Sequence, residues 1–98
     1  MTPEKLSEEQ IQAEILTLPN WALVPGGKLK RKLRFKDFVD AFGFLTSVAI
    51  ESEKMGHHPE MLCVYNKIEF VLTTHDVGGL SALDFKLARI IDAKAVSL

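Results

Sequence analysis

The sequence predicts an α+β fold, a four-stranded antiparallel sheet with three helices packed on one face, in the order α-β-β-α-β-β-α. Two features carry most of that prediction. Alternating apolar and polar runs come in two pairs, each joined by a short turn, as antiparallel neighbours are. Stretches of helical period, opened by capping residues, stand before, between and after those pairs. No repeat, linker or low-complexity segment divides the chain, so residues 1–98 are expected to form a single domain.

Taken in order, Ser7-Glu8-Glu9-Gln10 has the form of a capping box, and Ile11, Ile15 and Leu18 follow at near-helical spacing. Pro19-Asn20 stops the turn, which sets the first helix at about residues 7 to 17. Trp21 to Val24 reads as a short strand and Pro25-Gly26-Gly27 as a turn. From Lys28 to Phe35 the chain alternates. Leu29, Leu33 and Phe35 share one face with Arg31, while Lys28, Lys30, Lys32 and Arg34 share the other, so one face of this strand is wet. The basic stripe reads either as a phosphate footprint or as a solvated face whose lysines discourage edge pairing. No aromatic residues interleave with it, so base stacking is not suggested and no direct nucleic-acid binding is expected.

Asp37 opens the longest helix, to about Met55, with Asp40 suited to its positive end. Phe38, Phe42, Leu45 and Ala49 form its apolar face, widened by Phe44 and Val48. A stripe this broad is expected to bury on two sides, a sheet on one and a partner subunit on the other. Gly56 suits a left-handed helix end, which leaves His57-His58-Pro59 in the turn that follows. Leu62 to Tyr65 and Ile68 to Thr74 then form a hairpin joined by Asn66-Lys67, with Asn66 tolerating a positive φ. His75 falls at or just past the strand end, and Asp76-Val77-Gly78-Gly79 connects to a second capping box, Ser81 to Asp84. Leu83, Leu87, Ile90 and Ile91 line the last helix, which runs to about Ala95.

Composition narrows the class. Hydrophobic residues at 47% and charged ones at 26% are the balance of a globular chain, and a net charge of −1 gives no global attraction to nucleic acid or an anionic membrane. The apolar runs are far shorter than a bilayer span needs, and Met1-Thr2-Pro3-Glu4-Lys5 lacks the layout of a signal peptide. The lone Cys63 rules out an intrachain disulfide and fits a reducing compartment; its place in an apolar run suits a packing residue. A cytoplasmic location is expected.

All three histidines fall between positions 57 and 75. Imidazole is the usual proton shuttle near neutral pH, and three in one pocket would suit paired general acid and general base work. His57 and His58, adjacent in extended chain, point opposite ways, so one would meet the reacting centre while the other holds ligand or backbone. Two other readings stand beside this one. Histidines with a carboxylate also bind zinc or iron, although the His-x-x-x-His spacing is absent, and three unrelated surface histidines would look the same in composition. Glu53, a helical turn before His57, either orients an imidazole or is an exposed helix acid. Asp84 is a helix cap by position, with catalysis as the alternative, and Trp21 is core or pocket wall.

The pattern Glu53-x3-His57-His58-Pro59-x5-Tyr65-x9-His75-x8-Asp84 closely resembles the signature of the pterin-4a-carbinolamine dehydratases. The likeness covers nearly the whole chain: Trp21, Phe35-Lys36-Asp37-Phe38, Ala41 to Phe44, Val64 to Lys67, Thr74-His75, Gly79 to Ser81 and Ala95-Val96-Ser97. It implies a cofactor-free lyase that removes water from 4a-hydroxytetrahydrobiopterin to give quinonoid dihydropterin in tetrahydrobiopterin recycling, linked in function to an aromatic amino acid hydroxylase. It also implies His57 and His75 as the acid/base pair, His58 mainly as a pterin-binding residue, and Asp84 as an acidic site residue as well as a cap. Glu53, Gly56, Pro59, Thr73, Thr74 and Asp76 would complete the pocket, with no metal. Homodimers or homotetramers are implied, as is the same α+β sandwich. The chain departs from animal members, which carry an acid at the position of Gly56, a tryptophan at Met61 and an arginine at Leu83. Those departures bear on pocket polarity, stacking and the pterin side chain rather than on a proton shuttle, and they point away from the animal coactivator role. The alternative is a non-catalytic binding, assembly or coactivator-type protein that retains the fold.

Overall fold

The structure, a computed structural model, describes residues 3–96. Met1 and Thr2 of the segment read for a leader pattern, and Ser97 of the family-like tail, lie outside the described residues. The elements are α1 (Glu8–Ile15), β1 (Ala22–Val24), β2 (Lys28–Arg34), α2 (Phe38–Met55), β3 (Glu60–Val64), β4 (Lys67–Leu72), a 3-10 turn (His75–Val77) and α3 (Ala82–Val96). The strands form one antiparallel sheet in the order β1-β2-β4-β3. The predicted fold class and element order are those observed.

Register decides which face is dry. Leu29 and Leu33 of β2 lie opposite Leu72 and Ile68 of β4, and Arg31 lies opposite Phe70. Leu29, Ile68, Phe70 and Leu72 are buried beneath Ala41, Phe44 and Val48 of α2 and Phe85, Leu87, Ala88 and Ile91 of α3. Ile11 and Ile15 of α1 pack against the same cluster, so all three helices cover one face. The half-buried Cys63 packs there too. On the opposite face stand the expected Lys28, Lys30, Lys32 and Arg34, with Lys30 paired to Glu69 at 3.2 Å. No helix is long and apolar enough to cross a membrane among the described residues.

Arg31 is the exception on the dry face, and the structure supplies its partner. Its guanidinium pairs with the Asp92 carboxylate of α3, and the Trp21 indole Nε1–H donates to the same oxygen at 2.7 Å. One carboxylate thus ties β2, α3 and the entry to β1 together. Trp21 is 5% exposed and belongs to the core, away from the histidines in function and contact.

Two local expectations are corrected. The buried face of α2 is Ala41, Phe44, Val48 and Ser52, whereas Phe38 and Phe42 are 48% and 51% exposed. The sequence has apolar side chains on most of the helix circumference, so periodicity could not say which row meets the sheet. The second hairpin turns on Tyr65-Asn66 rather than Asn66-Lys67, since Val64 pairs with Lys67. Tyr65, not Asn66, takes the positive φ of 52°. Asn66 is used instead to hold the end of β2: its Nδ2 donates to the Phe35 carbonyl at 2.8 Å and its own carbonyl accepts from Phe35 N–H at 2.8 Å. That side-chain bond outweighs the residue's usual preference for the left-handed position.

The Asp92 junction yields a prediction. Asp92→Ala leaves a charged Arg31 and the Trp21 N–H without their acceptor on a largely dry face, at an expected cost of about 2–3 kcal/mol. Urea unfolding should show the midpoint falling with an unchanged m-value.

Candidate active site

The site begins where α2 stops. Gly56 has φ 64° and ψ 31°, a left-handed conformation that L side chains rarely adopt. A Cβ there would meet nothing within 4 Å, so the glycine serves conformation and not space. Its N–H reaches the Glu53 carbonyl at 3.1 Å, and His57 N–H reaches the Ser52 carbonyl at 3.0 Å, the paired closure of a Schellman end. The reversal separates the two histidines as their adjacency predicts. His57 turns inward and is 8% exposed, whereas the His58 side chain is 64% exposed.

The third histidine arrives from the other side. After β4, Thr74 N–H bonds to the Gly79 carbonyl at 2.9 Å and Val77 N–H to the Thr74 carbonyl at 3.1 Å, folding a tight loop that presents His75 and Asp76 exposed. The loop is pinned to the first hairpin turn. Thr73 Oγ1 donates to the Gly27 carbonyl at 2.8 Å, and a Cβ on Gly27 would stand 3.1 Å from the Gly79 Cα. Close approach of the two backbones therefore needs a glycine at 27.

Beneath both arms lies Asp84, 0% exposed, in the first turn of α3. Its Oδ1 is 2.6 Å from His57 Nε2. Its Oδ2 accepts from Thr74 Oγ1 at 2.7 Å and from Ser81 N–H at 2.9 Å. Asp84 thus caps the start of α3 with one oxygen and meets His57 with the other. A carboxylate that only accepts would take this bond from His57 Nε2–H, and His57 Nδ1 makes no hydrogen bond to any described residue.

His57 borders an open cavity of two adjoining lobes. One, of about 290 Å³, is lined by Gly56, His57, His58, Thr73, Thr74, His75 and Asp76. The other, of about 460 Å³, is lined by Pro3, Met55, Gly56, His57, Thr74, Asp76 and Leu83. All three histidines therefore meet at one cavity. Its size suits a small molecule. Glu53 does not line it: its Oε1 holds His58 Nε2 at 2.7 Å, so this acid orients His58 and not His57, while staying itself exposed. Pro59 is half-buried and sets the chain between the pair and β3 without lining either lobe.

Thr74 borders both lobes, and its hydroxyl is engaged by Asp84 and Ser81. Pro3 and Met55, which wall the second lobe with Leu83, were not picked out from the sequence, whereas Leu83 stood out as a departure bearing on the pocket. Met55 reads as an ordinary helix position, and nothing local to Pro3 signals that the N-terminal segment passes the site. Among the described residues, no group of three or more His, Cys, Asp or Glu is placed to hold a metal ion. A second hollow, about 340 Å³ on the open sheet face between Lys32, Arg34, Leu62, Val64 and Lys67, contains no histidine. Proton-transfer chemistry points to the histidine cavity.

Comparison with known proteins identifies the family. The family model for pterin 4 alpha carbinolamine dehydratase matches residues 4–94. A Burkholderia cenocepacia protein, provisionally named a pterin-4-alpha-carbinolamine dehydratase, is 48% identical over 92 residues, covering 93% of this chain and 90% of its own. A Solibacter usitatus protein of the same provisional name is 50% identical over 91 residues, 93% of this chain and 95% of its own. The crystal structure of a transcriptional coactivator/pterin dehydratase from Brucella melitensis superposes with a TM-score of 0.88 at 36% identity, over 92% of this chain and 97% of that one. With the fold, the histidine cavity and these likenesses in agreement, the chain belongs to the pterin 4 alpha carbinolamine dehydratase family.

Proposed function

We propose that the protein is a hydro-lyase that dehydrates 4a-hydroxytetrahydrobiopterin to quinonoid dihydropterin in tetrahydrobiopterin recycling, without a cofactor and as a single catalytic domain. The observation that carries this reading is His57, buried against Asp84 and bordering a cavity that His58 and His75 also line. Dehydration breaks the C4a–O bond. The leaving hydroxyl takes a proton and departs as water, and the neighbouring ring nitrogen N5 gives one up. The reaction therefore needs one proton donor and one acceptor on either side of the pterin.

We assign those roles as follows. His57 Nδ1, fixed as an acceptor by the bond from Nε2–H to Asp84, takes the N5 proton. His75 sits exposed on its loop with no side-chain hydrogen bond to a described residue, and delivers a proton to the leaving oxygen. His58, oriented by Glu53, binds the pterin, and Gly56, Thr73 and Asp76 line the place it occupies. The substrate would be supplied by an aromatic amino acid hydroxylase, and the product returned to it through a reductase, in the cytoplasm.

His57→Ala and His75→Ala should each lower kcat by about 100-fold or more with synthetic 4a-hydroxytetrahydropterin, while far-ultraviolet circular dichroism stays unchanged. Treatment with a strong chelator should leave the wild-type rate unaltered. Full activity in both variants would contradict the roles, and loss with chelator would favour a metal site.

The exposed row on α2 supports the proposed homodimer or homotetramer. Phe38, Val39, Phe42 and Ile50 are 48%, 75%, 51% and 54% exposed, and the two phenylalanine rings stack 5.6 Å apart on the side of α2 away from the core. Phe42→Glu should dissociate the assembly by light scattering; unchanged mass would remove this face from the interface.

A further inference from the structure

We propose that Thr74 and Ser81 are positioning residues that lock His57 in a single tautomer through a one-way hydrogen-bond chain anchored on the first turn of α3. The catalytic consequence rests on the dehydratase reading; the chain itself does not.

The direction of the chain follows from counting protons. Asp84 accepts at both oxygens, so Thr74 must spend its one hydroxyl proton on Asp84 Oδ2, 2.7 Å away. Thr74 Oγ1 also lies 2.7 Å from Ser81 Oγ, and having no second proton it accepts there. Ser81 is then the donor. Its own oxygen accepts the Leu83 backbone N–H at 3.2 Å, and its backbone N–H closes on Asp84 Oδ2 at 2.9 Å. Every link is assigned, and no buried side-chain polar atom is left without a partner among the described residues. Ser81 and Thr74 are 0% and 5% exposed, so water does not compete for these bonds.

Two donors on Oδ2 leave Oδ1 as the sole acceptor for His57 and fix the carboxylate plane. A carboxylate so held offers the imidazole one partner in one direction, which keeps the proton on Nε2 and the Nδ1 lone pair on the cavity. A valine at position 74 keeps the shape but removes both the donor to Asp84 and the acceptor for Ser81. Asp84 Oδ2 then keeps only the Ser81 N–H, the carboxylate plane is held by one donor fewer, and His57 loses its single arrangement.

The test is nitrogen-15 NMR of the histidine rings in the full chain, recorded with the imidazoles neutral. Wild type should show His57 with a protonated Nε2 and a bare Nδ1. Thr74→Val should show the two nitrogens moving toward a common averaged value, and Thr74→Ser should restore the wild-type pattern. Ser81→Ala, which keeps the Asp84 and Thr74 side chains, should show partial averaging and serves as the second variant if Thr74→Val does not fold. In turnover, Thr74→Val should lower kcat about 10-fold to 100-fold with KM changed less than about twofold. A wild-type tautomer in both Thr74→Val and Ser81→Ala, or failure of Thr74→Ser to restore it, overturns the proposal. A wild type that shows the single tautomer but no dehydratase turnover supports the chain and overturns the function instead.

Discussion

The buried carboxylate of Asp84 is the constraint on which the site depends. A charge at 0% exposure is tolerated only when its oxygens are met by donors, and the three donors come from three different parts of the chain. Ser81 N–H belongs to the start of α3, Thr74 Oγ1 to the end of β4, and His57 Nε2 to the reversal after α2. Displacing the His57 segment leaves Oδ1 unmet, and displacing either of the others strips Oδ2 of one of its two donors. The same residue that satisfies a helix end therefore also holds the two arms of the cavity in register. Structure and chemistry share one side chain, which is why neither could be moved without the other.

Much of this was legible in the sequence because it depends on local rules. Ser7 with Gln10 forms the reciprocal box it predicts, Asp37 caps α2, and Gly56 supplies the left-handed end. The opposite orientation of His57 and His58 follows from adjacency alone. The parts that were not legible depend on contacts distant in sequence. The core-facing row of α2 is chosen by the sheet, and an all-round apolar helix carries no mark of that choice. Tyr65 accepts the strained φ because Asn66 is needed 31 positions away, at Phe35. Arg31 looked out of place among leucines until Asp92, 61 positions on, appeared as its partner. The partners of the Thr74 hydroxyl, Ser81 and Asp84, come from the start of α3, which a strand end does not announce.

The two sheet faces divide the molecule's work. The dry face carries the core and, at its rim, the histidine cavity. The wet face carries the basic stripe, part of which is neutralised by Glu69. Its groove is shaped for apolar contact and lacks any group able to shuttle a proton near neutral pH. The chain belongs to the dehydratase family through likeness across residues 4–94, and the cavity bordered by His57 is the one in its structure where all three histidines meet.

The central claim is that the pterin is met by the histidines at the helix reversal. Titration with an oxidised, unreactive pterin, followed by the ring-proton resonances of His57, His58 and His75 alongside the methyl signals of Leu62 and Val64, tests it most directly. Saturable shifts of all three imidazoles with the two methyl signals unmoved are the predicted result. Shifts confined to Leu62 and Val64, with silent imidazoles, would contradict it.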